Sequence, residues 1–213
     1  MIHAYNKLYL EHARNNFATM LDFAVNELQQ DITKFIAYFS VSGLAALFEL
    51  GDPNTTVGKS GIELAYETLE TCGLTVKRIT PRFRPDRSKE YWAGWALAYY
   101  QWKTSLSFST ITKYIPITDI VDMYTPYHEM DIEQFVDKMT ELFHKAKPET
   151  NLKIIRERAG FTQKRLAEES GVPIRTLQQY EQRQKNINKA QAEYIFKLAA
   201  VLKCKPIELI ELV

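Results

Sequence analysis

Apolar residues recur at intervals of three and four positions along most of this chain, which is the spacing of one face of an α-helix. The alternating patterns of half-buried strands are scarce, so the sequence predicts an all-α protein. Hydrophobic residues make up 46% of the chain and charged residues 25%. This balance allows a packed core and excludes the disordered and low-complexity classes.

Charge is distributed unevenly along the 213 residues, a length that suits one large domain or a medium and a small one. Residues 148–213 hold 12 Lys and Arg against 8 Asp and Glu, a net +4, which leaves residues 1–147 at −3. Pro148 disfavours helix at the residue before it. We therefore predict a larger helical domain over 1–147 and a smaller domain over 148–213, whose basic charge fits an anionic partner.

Six or seven helices are expected in the larger domain. Asp31 can cap one of them, Ser60 and Glu63 form a capping box for another, and Pro116 can begin a short one. All three tryptophans occur at helical spacing within 88–108, which predicts a central core helix.

Two features of the larger domain have open interpretations. The basic stretch 77–89 is either a solvated extended loop or a contact for phosphates or an acidic partner. The aromatic stripe that follows is either ordinary core or the lining of a ligand pocket or partner groove. The candidate partner or ligand surface comprises Arg82, Arg84, Arg87, Trp92, Trp95, Tyr99 and Trp102.

No catalytic, metal or cofactor residues are predicted, and the chain is not expected to be an enzyme. The string 58–60 reads Gly-Lys-Ser, but a phosphate-binding loop would need glycine where Pro53 stands. The four histidines lack metal-ligand spacing, and Cys72 and Cys204 lie far apart, without a pairing motif.

No apolar run approaches the roughly 18 residues that would span a bilayer, and the polar start lacks a signal core. We therefore expect a cytoplasmic protein without a membrane partner.

The C-terminal part divides into five short helical pieces. Thr162 can cap the second, Gly171 can end it, and Asn188 with Gln191 can form a capping box for the fourth. Two short helices joined by a glycine-bearing turn can present the second helix to a DNA major groove. The pieces are predicted at 152–158, 163–169, 173 or 174 to 181, 189–202 and 206–212.

Residues 161–181 read Phe-Thr-Gln-Lys-Arg-Leu-Ala-Glu-Glu-Ser-Gly-Val-Pro-Ile-Arg-Thr-Leu-Gln-Gln-Tyr-Glu. This string resembles the helix-turn-helix of the Xre/Cro and lambda-repressor family, which implies a five-helix DNA-binding domain. One departure is Arg183, which stands where the family commonly has glycine.

The resemblance implies roles for two sets of residues in binding double-stranded DNA. The side chains expected to read bases are Ile174, Arg175, Gln178 and Gln179. Those expected to contact phosphates are Gln163, Arg183, Gln184, Lys185 and Asn186. So small a module usually gains specificity as a homodimer on a palindromic operator, which we expect here.

Strings at 10–26, 58–64 and 127–131 resemble the helical N-terminal regions of antitoxin-type regulators from Gram-positive bacteria. That resemblance implies an autorepressing antitoxin whose larger domain binds a protein toxin. The alternative is a ligand-sensing repressor, which requires an apolar pocket near the tryptophans. A catalytic larger domain would need convergent ionisable residues, and none stand at a recognisable spacing.

Overall fold

The computed structural model describes residues 3–82, 86–147 and 149–211. All regular structure within these ranges is helical, with no β-strand. The chain folds as two compact units, Met1–Ala146 and Lys147–Val213. No helix in the described ranges combines the length and the apolar character that crossing a membrane requires.

The larger unit contains more helices than the six or seven predicted, because turn-forming residues divide the chain into short segments. Gly43 adopts φ 84° between two of them, and Ser105 adopts φ 57° and ends another. The predicted helix 88–108 is therefore too long. The α-helices in the described part of this unit are α1 Leu10–Asn26, α2 Ile32–Val41, α3 Leu44–Glu49, α4 Pro53–Thr56, α5 Gly61–Thr71, α6 Lys89–Thr104, α7 Phe108–Tyr114, α8 Ile117–Asp122, α9 Tyr124–Tyr127 and α10 Ile132–Ala146.

Local capping signals place the starts of several helices where the sequence predicted them. The Asp31 side chain accepts a hydrogen bond from the Lys34 amide at the start of α2. Ser60 and Glu63 form the predicted capping box of α5, and α8 begins directly after Pro116. These side chains satisfy amides that the first turn of a helix leaves without intrahelical partners.

The core of the larger unit is centred on α1, which packs against α5 and α6. Phe17 of α1 is fully buried, and its ring stacks on that of Phe108 with centroids 4.5 Å apart. Gly94 lets α6 approach α1 closely, because a Cβ atom there would lie 2.8 Å from the Ala18 Cα atom. The tryptophan-bearing helix is therefore a central element of this core, as predicted.

The smaller unit packs its helices around a core of its own. Its α-helices are α11 Asn151–Arg158, α12 Gln163–Ser170, α13 Ile174–Glu181 and α14 Ala192–Leu202. The fifth predicted piece is a short 3-10 helix, Pro206–Leu209, and a second 3-10 helix covers Ile187–Lys189. The buried side chains at the centre are those of Leu152, Leu166, Val172, Leu177, Leu198 and Leu209.

The predicted capping box at the start of the fourth piece is wrong. Helix α14 begins at Ala192, and its N-cap residue Gln191 makes no side-chain capping bond. Asn188 instead exchanges hydrogen bonds with the backbone of Glu211, accepting from its amide at 2.9 Å and donating to its carbonyl. A long-range partner thus replaced the local one that the sequence suggested.

Candidate DNA-binding surface

Capping and turn residues define the start of α12 and its connection to α13. Thr162 caps α12 by accepting a hydrogen bond from the Arg165 amide at 3.1 Å. Gly171 ends α12 in the left-handed region with φ 68°, a conformation that glycine adopts without steric cost. Val172 is then buried, and Pro173 directly precedes α13. The turn chemistry predicted from sequence is confirmed.

Helix α13 has one buried face and one face open to solvent. Leu177, Tyr180 and Glu181 point into the unit. The predicted base-reading side chains lie on the other face, where Ile174 and Arg175 are exposed and Gln178 and Gln179 are half-buried. Ile174 keeps 42% of its surface accessible, so its aliphatic side chain is available for contact. The structure therefore brings these four residues together at one surface.

A buried ion pair that was not predicted from the sequence fixes α13 against α11. Arg156 and Glu181 are 7% and 8% exposed, and two hydrogen bonds join them, Nε to Oε1 at 2.6 Å and Nη2 to Oε2 at 3.0 Å. Arg156 Nη1 also donates to the Phe161 carbonyl oxygen at 2.8 Å. The bond to Glu181 raises the pKa of the Arg156 guanidinium. The available signal was the position of Arg156 one turn after buried Leu152, on the core side of α11.

Gln163 connects this pair to the exposed face of α13. Its Nε2 donates to Glu181 Oε2 at 2.7 Å, and its Oε1 accepts from Gln178 Nε2 at 3.5 Å. The predicted phosphate contact Gln163 is thus held by the same carboxylate that holds Arg156. The network places Gln163 and Gln178 side by side at the surface.

The other predicted phosphate contacts lie in the exposed loop after α13. Arg183 has φ 55°, a left-handed conformation that favours glycine, the residue commonly found there in the resembled family. Its Nη2 donates to the carbonyl oxygens of Lys147 and Glu149 at 3.1 and 3.3 Å, so the guanidinium also holds the start of the unit. Gln184 and Lys185 are exposed.

Asn186, the last of the predicted phosphate contacts, is exposed and has a local structural role. Its Oδ1 accepts from the Asn188 amide at 2.8 Å and so caps the 3-10 helix Ile187–Lys189. This bond uses one acceptor and leaves the Nδ2 donors of the amide for other contacts.

In the larger unit, the structure separates the residues predicted to form one partner or ligand surface. Trp92 and Trp95 line a cleft of about 210 Å³ together with Arg87, Tyr91, Tyr124 and His128. The predicted residues outside it are Tyr99, which donates to Glu133 Oε1 at 2.7 Å, and buried Trp102, whose Nε1 donates to the Tyr5 carbonyl oxygen at 2.8 Å. Arg82 is exposed, and Arg84 lies outside the described residues.

The aromatic stripe has a buried cation that sequence reasoning did not find. Arg14 of α1 is 5% exposed, and its guanidinium carbon lies 3.3 Å from the Trp95 ring centroid and 4.7 Å from that of Tyr99. Burial lowers the pKa of this guanidinium, and the neighbouring Glu11 carboxylate opposes that shift. The stripe is therefore partly a packing site for an arginine of the same unit.

Metal-ligating side chains do not cluster in the part of the chain that the structure describes: no three His, Cys, Asp or Glu residues there are placed to hold an ion. The Nδ1–H group of His128 donates to the Tyr124 carbonyl oxygen at 2.8 Å, and the His128 ring stacks on that of Tyr124. These contacts give it a structural role in the wall of the cleft.

Comparison with protein-family models matches residues 152–209 to a family described as Helix-turn-helix. Searches of the curated proteins and of the solved structures gave no match. The matched range covers α11 to the 3-10 helix Pro206–Leu209 and contains the ion pair, the turn and the exposed face of α13. The match therefore supports a helix-turn-helix over residues 152–209, of the DNA-binding kind found in transcription regulators.

Proposed function

We propose that this protein is a sequence-specific transcription regulator that reads DNA bases in the major groove with α13. The observation that carries the proposal is the exposed face of α13, which displays one guanidinium, two amides and one aliphatic side chain opposite a buried face. The matched family binds DNA with a helix in this position of the motif.

The chemistry of the four side chains indicates which base edges they contact. Arg175 has a forked donor that suits the O6 and N7 atoms of guanine. Gln179 can donate to and accept from the N6 and N7 atoms of adenine, and Ile174 suits a thymine methyl group. Gln178 Nε2 donates to Gln163 Oε1 at 3.5 Å, so the two side chains approach the DNA together. In this arrangement Gln178 contacts a base edge and Gln163 contacts the adjacent phosphate.

Phosphate contacts by the loop after α13 would set the register of the domain on DNA. The four predicted contacts in this loop are all exposed: Arg183, Gln184, Lys185 and Asn186. Such contacts carry no sequence information and make affinity depend on salt. We further propose a homodimer on a palindromic operator, because a single domain of this size makes few base contacts.

For the larger unit, our first proposal is the binding of a protein toxin, which would make the protein an autorepressing antitoxin. This proposal rests on the resemblance of the strings 10–26, 58–64 and 127–131 to antitoxin-type regulators, and the exposed side chains of Leu8, Val41 and Leu50, which are 81%, 76% and 77% accessible, offer apolar contacts to such a partner. The alternative is a ligand-sensing repressor. The cleft at Trp92 and Trp95 favours this alternative because its walls are aromatic.

Affinity purification of the tagged full chain from its native host tests the proposed DNA binding and the proposed role of the larger unit. Bound DNA is sequenced and bound proteins are identified, in parallel with an Arg175→Ala/Gln179→Ala variant and a Lys138→Ala control in the larger unit. A stoichiometric protein partner with enrichment of the promoter of its own gene supports the antitoxin. Sequence-specific DNA without a protein partner supports the ligand-sensing alternative. Equal DNA enrichment by the α13 variant would overturn the base-reading assignment.

A further inference from the structure

The aromatic cleft of the larger unit lies between the N-terminal half of α6 and α9. Its volume of about 210 Å³ is below the roughly 300–1,000 Å³ that is typical of sites for drug-sized ligands. A small ligand of one or two rings therefore suits this cleft. Four of its six lining residues are tyrosines or tryptophans, namely Tyr91, Trp92, Trp95 and Tyr124.

Contacts with neighbouring side chains hold these rings in place. The Trp92 and Tyr124 rings pack edge to face with centroids 5.8 Å apart, and Tyr124 stacks on His128 at 4.0 Å. Arg14 covers one face of the Trp95 ring, with its guanidinium carbon 3.3 Å from the ring centroid. The walls of the cleft are therefore formed before a ligand binds, which reduces the entropy that binding costs.

Arg87 supplies a positive charge at this aromatic surface. Its guanidinium carbon lies over the Tyr91 ring, 4.4 Å from the centroid. A guanidinium that stacks on a ring keeps the N–H groups at its edge free to donate hydrogen bonds. No carboxylate in the described part of the chain forms an ion pair with Arg87. This cation is therefore available to an anionic group of a ligand.

The surroundings of His128 are less suited to an anion. Its Nε2 atom lies 3.5 Å from Glu129 Oε1, so a carboxylate of the protein already stands beside the imidazole. Its Nδ1–H group is bonded to the Tyr124 carbonyl oxygen. An anionic group is attracted by Arg87 and repelled by Glu129, which favours its placement beside Arg87.

We propose that the cleft binds an aromatic carboxylate, whose ring packs against Trp92 and Tyr124 and whose carboxylate accepts hydrogen bonds from Arg87. This inference rests on the ligand-sensing alternative proposed above and names the class of its ligand. Aromatic rings attract one another in offset and edge-to-face packing, and a guanidinium can bind a carboxylate through two parallel hydrogen bonds. An aromatic amine is disfavoured because its charge would be repelled by Arg87.

Titration of the full chain with phenylacetate tests the proposal. Isothermal titration measures binding, and so does quenching of tryptophan fluorescence, because Trp92 and Trp95 line the cleft. Three probes of similar size serve as controls: phenylacetamide is neutral, 2-phenylethylamine is cationic, and cyclohexylacetate carries its carboxylate on a ring that is not aromatic.

We expect saturable binding of one phenylacetate per chain. It should be about tenfold tighter than binding of the amide or the amine and about threefold tighter than that of cyclohexylacetate. Absence of saturable phenylacetate binding up to about 10 mM, or equal binding of phenylacetamide, would overturn the proposal.

Two variants locate the site. Arg87→Gln removes the charge, and we expect it to weaken phenylacetate binding about tenfold without changing the weaker binding of phenylacetamide. Arg82→Gln is the matched control, because Arg82 is exposed in the same basic stretch and does not line the cleft. It should bind phenylacetate like the wild type. Unchanged phenylacetate affinity in Arg87→Gln, or an equal loss in both variants, would refute the assignment.

A separate measurement distinguishes failure of this inference from failure of the ligand-sensing function. Fluorescence anisotropy reports the affinity of the full chain for a DNA duplex that it selects from a random library, with and without saturating phenylacetate. A change in DNA affinity in the wild type but not in Arg87→Gln supports both. Phenylacetate binding that leaves DNA affinity unchanged would support the ligand site and contradict the sensing function. Normal DNA binding without phenylacetate binding would overturn only this inference.

Discussion

Removal of Arg156 should destabilise the smaller unit selectively. In the Arg156→Met variant a linear apolar side chain replaces the guanidinium, which removes both hydrogen bonds to Glu181 and the bond to the Phe161 carbonyl oxygen. The Glu181 carboxylate, 8% exposed, then keeps Gln163 as its remaining side-chain donor. The variant therefore leaves a buried charge without its countercharge.

The expected cost follows from that geometry. Removing one partner of a buried, hydrogen-bonded ion pair typically destabilises a protein by about 3–5 kcal/mol. A unit the length of Lys147–Val213 has a free energy of unfolding of about 3–10 kcal/mol, from about 0.05–0.15 kcal/mol per residue. The cost is therefore at least about a third of the stability of this unit, and it unfolds the unit at 25 °C if that stability lies at the lower end of the range. Specific DNA binding should fall in proportion to the unfolded fraction.

Two optical signals distinguish the units during denaturation with guanidinium chloride. Tryptophan fluorescence follows only the larger unit, and circular dichroism at 222 nm follows helices in both. A change in dichroism without a change in fluorescence therefore reports unfolding of the smaller unit. We expect Arg156→Met to shift this change to lower denaturant concentration and to leave the fluorescence midpoint unchanged.

A double variant tests whether the uncompensated charge is the cause. Arg156→Met/Glu181→Leu removes both charges, and replacing a buried pair with apolar side chains is often neutral or stabilising. It should recover most of the lost stability but not full DNA affinity, because Gln163 loses the carboxylate that holds it. A single-variant cost under about 1 kcal/mol, the range of exposed pairs, would refute this reasoning.

Further variants probe DNA contacts, helix packing and a buried charge. Arg175→Ala should relax specificity at one base pair by about 1–3 kcal/mol, whereas Lys185→Ala should weaken binding to every duplex and reduce the salt slope by about one unit, as measured by fluorescence anisotropy. Gly94→Ala brings a Cβ atom within 2.8 Å of the Ala18 Cα and should lower the free energy of unfolding of the larger unit by about 1–3 kcal/mol, measured by tryptophan fluorescence. Glu49 has a raised pKa in the folded state, so its ionised form costs stability. Glu49→Gln should therefore raise the midpoint of unfolding, measured by tryptophan fluorescence, at neutral pH. This gain should shrink as the pH falls through the raised pKa towards the ordinary pKa of glutamate. A gain that does not change with pH would contradict this cause.

Features decided within a few residues could be predicted from the sequence. The caps at Asp31, Ser60 and Thr162 each bind an amide three positions later, and Gly171 ends its helix through its own backbone conformation. In α13, Leu177 was predicted as a core residue and is buried, whereas the outward position of the four candidate base readers was implied by the family resemblance.

Features that depend on distant residues could not be predicted in this way. Asn188 pairs with the backbone of Glu211 rather than capping α14, and Arg156 meets Glu181 across 25 positions. The sequence suggested that the aromatic stripe forms a single surface. In the structure Arg14 from α1 covers part of this stripe, and the tryptophans that line the cleft are Trp92 and Trp95. Helical periodicity fixes the direction of a side chain but does not identify the group that it meets.

The most direct test of the central claim is the selection of bound duplexes from a random DNA library by the full chain, beside the Arg175→Ala/Gln179→Ala variant. We expect the wild type to enrich an inverted repeat whose half-sites lie about one helical turn, about 34–36 Å, apart. The variant should lose this enrichment while retaining salt-dependent, non-specific binding. Enrichment of the same sequence by both proteins, or of none by the wild type, would contradict the assignment of base reading to α13.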